Sequence, residues 1–151
     1  MDNAVKTATA WNAATGIVTT TLSGPVDVAD VKLWRRGLEA TLAALPSDSR
    51  FRICVNFFGL APQSVEAHKS YRAVIPLTLS RYGWRVGYLA LFPEADNLPV
   101  TTTDGIRCTA AVHVHQDTYK IEEYDRRFGT GIERFFSDPH EAETWLTQCA
   151  A

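Results

Sequence analysis

The densest group of side chains able to bind metal or carry protons is His113-Val114-His115-Gln116-Asp117. A His-x-His-x-Asp spacing suits zinc when a further His follows directly, because closely spaced imidazoles and a carboxylate can then surround one ion. Thr118 stands where that His is needed, and His68 and His140 fall in segments predicted helical. On a strand His113 and His115 share a face, whereas on a helix residues two apart diverge by about 200°. The expectation is that the segment does not hold zinc and that the chain carries no metal or other cofactor. No G-x-S-x-G elbow, Walker loop or G-x-G-x-x-G is present. With no convergent acid, base and nucleophile, the chain is read as non-enzymatic.

Charge and composition narrow the partners. The 151 residues are 46% hydrophobic, enough for one compact domain with a full core, so residues 1–151 are read as a single domain. Residues 1–75 carry eight basic and six acidic side chains, residues 76–151 seven and eleven. The longest basic runs are the pairs Arg35-Arg36 and Arg126-Arg127, so no nucleic-acid surface is expected. No apolar run approaches the roughly 18 residues of a membrane span, and Met1 to Lys6 lacks the basic-then-apolar pattern of a signal peptide. Cys54, Cys108 and Cys149 form no C-x-x-C and leave an odd count. They are read as small core residues in a reducing, cytoplasmic setting.

The elements that must position these groups are legible in part. Val5–Trp11 and Ile17–Leu22 are β-favouring runs joined by a turn with Asn12 and Gly16, an opening hairpin. Asp27 and Asp30 form a capping-box variant ahead of a helix reaching Leu45-Pro46, with Val31, Trp34, Leu38 and Leu42 inward. Phe51–Phe57 reads as a buried central strand. A helix over Val65–Tyr82 follows, capped by Ser64, stopped by Gly83 and kinked or split near Pro76. Trp84–Phe92 reads as a strand and residues 93–104 as a loop.

Ile106–Phe128 admits two readings. Its first half alternates like a strand, but it also fits a helix through Ile106, Ala110 and Val114, followed by a polar helix ending at Gly129. Helix is favoured for most of it, since a parallel neighbour at Ile132–Phe136 needs a helical crossover. The chain ends on a capped helix: Asp138 at the N-cap, Pro139 at the first position, Glu141 completing a capping box, and Ala142, Trp145, Leu146 and Cys149 on one face. The order is an opening hairpin followed by βα units. The fold class is α/β, a single mixed sheet of about five strands covered by helices.

This order, and the residues in it, resemble the SpoIIAA-like branch of the STAS superfamily (sulfate-transporter and anti-sigma-factor-antagonist domains). The resemblance covers roughly Ile17 to Leu146. It is carried by Asn56-Phe57-Phe58-Gly59-Leu60 before a helix, by Arg85-Val86-Gly87-Tyr88-Leu89-Ala90-Leu91, and by Glu133-Arg134-Phe135-Phe136 with Ala142 and Trp145-Leu146. It implies a non-enzymatic regulatory module that binds a protein partner or itself. Signalling members carry a phosphorylatable Ser at the start of the helix after the central strand, where helix dipole and added charge switch partner affinity. Ser64 lies near that place, Asn56 stands where an Asp is usual, and the Asp-Ser pair is absent. Ser64 and Asn56 are thus the partner-binding or phospho-acceptor candidates, with an ordinary helix cap as the simpler role for Ser64. The alternative is a small-molecule or lipid carrier, its apolar pocket bordered by Tyr71, Ile75, Leu79 and Tyr82.

Overall fold

The computed structural model describes residues 4–91 and 97–149. Strands β1 (Lys6–Asn12) and β2 (Ile17–Val26) form the expected antiparallel hairpin. In its turn the Asn12 side chain accepts from the Ala14 N–H at 3.0 Å. Asp27 and Asp30 exchange the reciprocal bonds of a capping box at the start of α1 (Val28–Ala43). The stripe Val31, Trp34, Leu38 and Leu42 is buried as the helical spacing requires. Trp34 also donates its indole N–H to Thr20 Oγ1 at 2.7 Å, which satisfies a polar group inside the core.

Strand β3 (Arg50–Asn56) is buried from Phe51 to Val55, as befits a strand covered on both faces. It pairs in parallel with β2 on one side. A three-residue strand, β4 (Leu60–Pro62), extends the sheet by pairing with the far end of β2; no periodic signal marks so short a segment. Helix α2 (Val65–Ser80) runs unbroken through Pro76 and stops before Gly83, whose φ of +75° suits glycine.

Two expectations are corrected beyond α2. The described part of the Trp84–Phe92 run is not a strand. It is a turn-rich segment with a 3-10 turn at Leu89–Leu91, and Phe92 lies outside the described residues. Trp84, Val86 and Leu89 are nonetheless buried in the core. An apolar, β-favouring run records burial; here that burial comes from lying over the sheet rather than within it. The strand is instead β5 (Arg107–Val114), which takes the central place beside β3 in parallel register. The helical reading of Ile106–Val114 is thereby overturned. The crossover it was meant to supply comes from α3 (Thr118–Phe128), and β6 (Glu133–Phe136) then joins β5 in parallel.

The sheet order is β1-β2-β3-β5-β6, mixed, with β4 beside β2. One face carries the larger core, with Val18, Leu22, Phe51, Ile53 and Val55 beneath α1 and α2. The other packs Cys54, Ala110, Val112 and Val114 against Ala142 and Leu146 of α4 (Pro139–Gln148). Trp145 is only half-buried beside Phe136. Asp138 caps α4 by accepting from the His140 N–H, rather than through a capping box with Glu141. The architecture is α/β with four helices on a single mixed sheet, consistent with a STAS-like fold.

Candidate functional site

Parallel strands end together, and their carboxyl ends form the edge where α/β sheets bind ligands. Here β3 delivers Phe57 and β5 delivers His113 and His115 to that edge, while α2 and α3 approach from the larger core's side. Between them lies a partly enclosed cavity of about 90 Å³. The loops are tied at its mouth: the Gln116 side chain accepts from the Gly59 N–H at 2.9 Å and donates to the Leu60 carbonyl at 3.0 Å.

The cavity walls are rings. Phe57 stacks on Tyr71 of α2, centroids 5.4 Å apart and planes 11° from parallel. On the opposite wall His113 stacks on Phe135 at 4.8 Å. Tyr88 meets both His113 and Phe135 edge-on, and Tyr124 of α3 meets Phe135 the same way. These offset and edge-on geometries are the favoured ones for ring pairs and hold the walls rigid. Ile75 and Ile121 complete the apolar lining.

Behind the rings sits a buried polar pair. His113 Nε2 lies 2.8 Å from Glu133 Oε2, and both residues are almost wholly buried. A carboxylate only accepts, so Nε2 carries the hydrogen. The other oxygen of Glu133 accepts from the Gly87 N–H at 2.9 Å. Gly87 permits this approach: a Cβ there would stand 3.2 Å from both Glu133 Oε1 and the Phe128 carbonyl. The turn-rich segment is therefore pinned to the sheet at the residue before Tyr88.

Electrostatics at the cavity are set by Arg72 of α2 and Lys120 of α3. Lys120 Nζ stands 5.6 Å from the Tyr124 ring centroid. Burial first, and then the charges of Arg72 and Lys120, hold the His68 imidazole below its ordinary pKa. His115 is lowered by burial and by Lys120, against an opposing effect of Asp117. Burial raises the phenols of Tyr71, Tyr88 and Tyr124, so each remains a protonated donor at neutral pH.

The histidines of the His113-x-His115-x-Asp117 segment have separate partners. His113 is committed to Glu133, while His115 Nδ1 accepts from the Asp117 N–H at 3.0 Å and Asp117 caps α3. Among the described residues no group of three or more His, Cys, Asp and Glu side chains could hold a metal ion. An imidazole held by a carboxylate is also the arrangement of a general base. The described lining offers it no Ser, Thr or Cys to activate, however, and the nearby phenols are poor nucleophiles when raised in pKa.

Ser64 and Asn56 lie beside this cavity rather than in it. Ser64 is exposed and caps α2, its Oγ accepting from the Ala67 N–H at 3.0 Å. It precedes Tyr71 by two helical turns, about 10 Å. Asn56 ends β3 one residue before Phe57, and its side chain accepts from the Phe58 N–H at 3.0 Å in a local turn. Of the four residues expected to border a pocket, Tyr71 and Ile75 do so, whereas Leu79 and Tyr82 are spent on the core. Sequence reasoning missed Tyr88, Tyr124, Phe135, Glu133, Arg72 and Lys120 as site residues. The one usable signal was Glu133 itself, a carboxylate two residues from Phe135 on a strand whose inward face is otherwise apolar.

Compared with protein-family models, curated proteins and solved structures, the chain gives no match.

Proposed function

We propose that this chain is a non-enzymatic ligand-binding domain of the SpoIIAA-like/STAS type, acting in the cytoplasm by taking a small molecule into the cavity between α2 and α3. The observation that carries this reading is a ring-walled cavity at the carboxyl ends of β3 and β5, the usual ligand position of such sheets. Its volume of about 90 Å³ is below the roughly 150 Å³ that accommodates benzene in an engineered core, so it admits a chain end or part of a ring, with the rest of a ligand at the mouth. A reducing compartment agrees with three free cysteines, of which Cys54 is an inert core thiol pushed up to about 12 by burial and by Glu143. Titration of isotope-labelled protein with ring-sized fragments tests the reading. Binders should move the amide resonances of Tyr71, Tyr88, His113 and Tyr124 together; a diverse fragment set that moves none of them at millimolar concentration would remove it.

A protein-interaction role at the same end of the sheet is the second reading. It is favoured by exposed apolar side chains beside the candidate residues: Phe58 is 48% exposed next to Asn56-Phe57, and Val65 is 70% exposed next to Ser64. The partner in this reading is another protein or a second copy of the chain. Light scattering of wild type and Phe58→Ser/Val65→Ser tests self-association, which should be weaker in the variant.

A further inference from the structure

We infer that two copies of this chain pair through the outer edge of β1, antiparallel and centred on Thr9, so that one sheet continues across a twofold axis. β1 is an edge of the sheet, seven residues long and paired with β2 without a bulge. Backbone groups alternate in direction along a strand, and here a neighbouring bond fixes which way they point. The Arg52 N–H donates to the Gly16 carbonyl at 2.9 Å in the parallel β2–β3 ladder, where Ile17 stands opposite Arg52. Val18 and Thr20 therefore turn their N–H and C=O toward β3, and Ile17, Thr19 and Thr21 turn theirs toward β1. Asn12, Ala10 and Ala8, which stand opposite these three, are thereby satisfied. The intervening Thr7, Thr9 and Trp11 point their N–H and C=O outward, and no backbone hydrogen bond among the described residues takes them up. Edge strands are ordinarily blunted by Pro, bulges, charge or shortness. β1 has neither Pro nor bulge, and its one charge is Lys6 at the end, whereas the opposite edge, β6, has only four residues.

The occupant is a second copy because the edge is complementary to itself. Antiparallel pairing about Thr9 sets Thr9 opposite Thr9 and Thr7 opposite Trp11 in hydrogen-bonded pairs, and these are the residues whose outward groups need partners. On the other face Ala8 meets Ala10 and Lys6 meets Asn12, so no like charges stand opposed. Helix α1 supports the same axis. It packs over β1 and β2 with α2 beside it, and Glu39 marks the α2 flank, since its charge acts on Tyr82 just past α2. Gly37 lies about 160° around the helix from Glu39, on an exposed flank with Ala44 and with Leu33, which is 58% exposed. A glycine inside an exposed helix destabilises it relative to alanine, and nothing beyond its own helix lies within 4 Å of a Cβ at Gly37. The single chain gives no reason for that glycine, whereas close approach of a second helix does. The twofold axis sets α1 and its copy two strand spacings apart, about 10 Å, which is helix-packing distance. Both β1 edges are then inside one sheet, only the short β6 edges remain, and assembly stops at the dimer.

Sedimentation velocity of the full chain over a concentration series should show monomers joining into dimers. Hydrogen exchange over the same series should slow at the Thr7, Thr9 and Trp11 amides as the dimer fills, while Ala8 and Ala10 are protected throughout by β2. Thr9→Pro deletes the outward N–H at the axis, a change that an edge strand tolerates, and should sediment as a monomer at every concentration with the far-UV spectrum of wild type. Thr9 Oγ1 also shares a hydrogen bond with Thr20 Oγ1 at 2.8 Å. Should that variant unfold, Thr7→Pro removes the flanking outward N–H instead and should weaken the dimer at least about tenfold. A chain that stays monomeric throughout, a dimer whose Thr9 amide exchanges as fast as in the monomer, or a dimer kept by both folded proline variants would each overturn the inference. Self-association lost in Phe58→Ser/Val65→Ser but kept in the proline variants would place it on that other surface and overturn the pairing of β1.

Discussion

The His113–Glu133 pair concentrates the energetics of the site in two side chains. Taking a carboxylate out of water is costly unless its hydrogen bonds are replaced, and here Nε2 of His113 and the Gly87 N–H replace them. His113→Ala removes the stronger partner and should destabilise the fold by about 3–5 kcal/mol, whereas Glu133→Gln keeps the shape and loses the charge at about 1–2 kcal/mol. Urea unfolding of both variants checks the order; an alanine variant within 1 kcal/mol of wild type would show that the pair contributes little. This part of the site was half legible. His113 stands out in the sequence, but Glu133 lies 20 residues away and meets it only because β5 and β6 pair with Ala111 opposite Glu133 and His113 opposite Phe135. Ser64 behaves oppositely, since its role as a cap is local and therefore readable. Ser64→Asp should melt within about 1 kcal/mol of wild type because Asp also caps. If the interaction reading holds, it should change self-association or partner capture, and no change in either removes Ser64 from that surface.

Among the elements, those with a complete local signature were legible and those defined by long-range pairing were not. The hairpin and the capped α1 with its inward stripe combine periodicity with turn or cap chemistry, and β3 is a continuous apolar run bounded by turns. β5 lacked such closure, since Ile106 to Val114 satisfies period two and period 3.6 alike, and only its pairing with β3 decides. Trp84–Leu91 misled for the converse reason: strong β propensity in a segment held by the Gly87–Glu133 bond and by turns at Leu89 and Leu91. The last helix shows how position revises a magnitude. Buried aromatic truncation costs about 3–5 kcal/mol, and helical spacing places Trp145 on the same face as Ala142 and Leu146. Trp145 is half-buried, while Leu146 is wholly enclosed. Leu146→Ala should therefore be the more damaging change, at about 2–5 kcal/mol. Helix α4 is also anchored by Arg52 of β3, which donates to the carbonyls of Leu146 at 2.8 Å, Thr147 at 3.2 Å and Cys149 at 2.7 Å, and to that of Thr15 in the hairpin turn. Because this guanidinium satisfies carbonyls that a helix end leaves open, Arg52→Met should speed amide exchange across 142–149 well before α1 is affected. Equal protection of α4 in the variant would show that packing alone retains it.

At the scale of the whole molecule, cavity and sheet are linked through charge, and pH reads the link. His68 and His115 are held below the ordinary imidazole value, chiefly by burial and next by cations, Arg72 and Lys120 for His68 and Lys120 alone for His115. In the unfolded chain both should titrate near 6.5. As pH falls through that value the unfolded state takes up protons that the folded state resists, so stability must decline, and the decline levels off below the folded-state values. Asp125 adds a second step of the same direction. Burial pushes its carboxyl up, but the Arg134 guanidinium and the Phe135 N–H together outweigh burial and leave it below the usual range. Its contribution is complete above about pH 4 and is lost as pH drops toward the folded-state value. Urea unfolding should therefore give a level free energy between about pH 7 and 8, a first loss below about 6.5 and a second below about 4. His68→Gln/His115→Gln should flatten the first step and leave the second, since Asp125, Arg134 and Phe135 hydrogen-bond one another apart from those imidazoles. A first step that persists at full size in the double variant would place the titrating groups elsewhere and sever the cavity's cations from the stability of the fold.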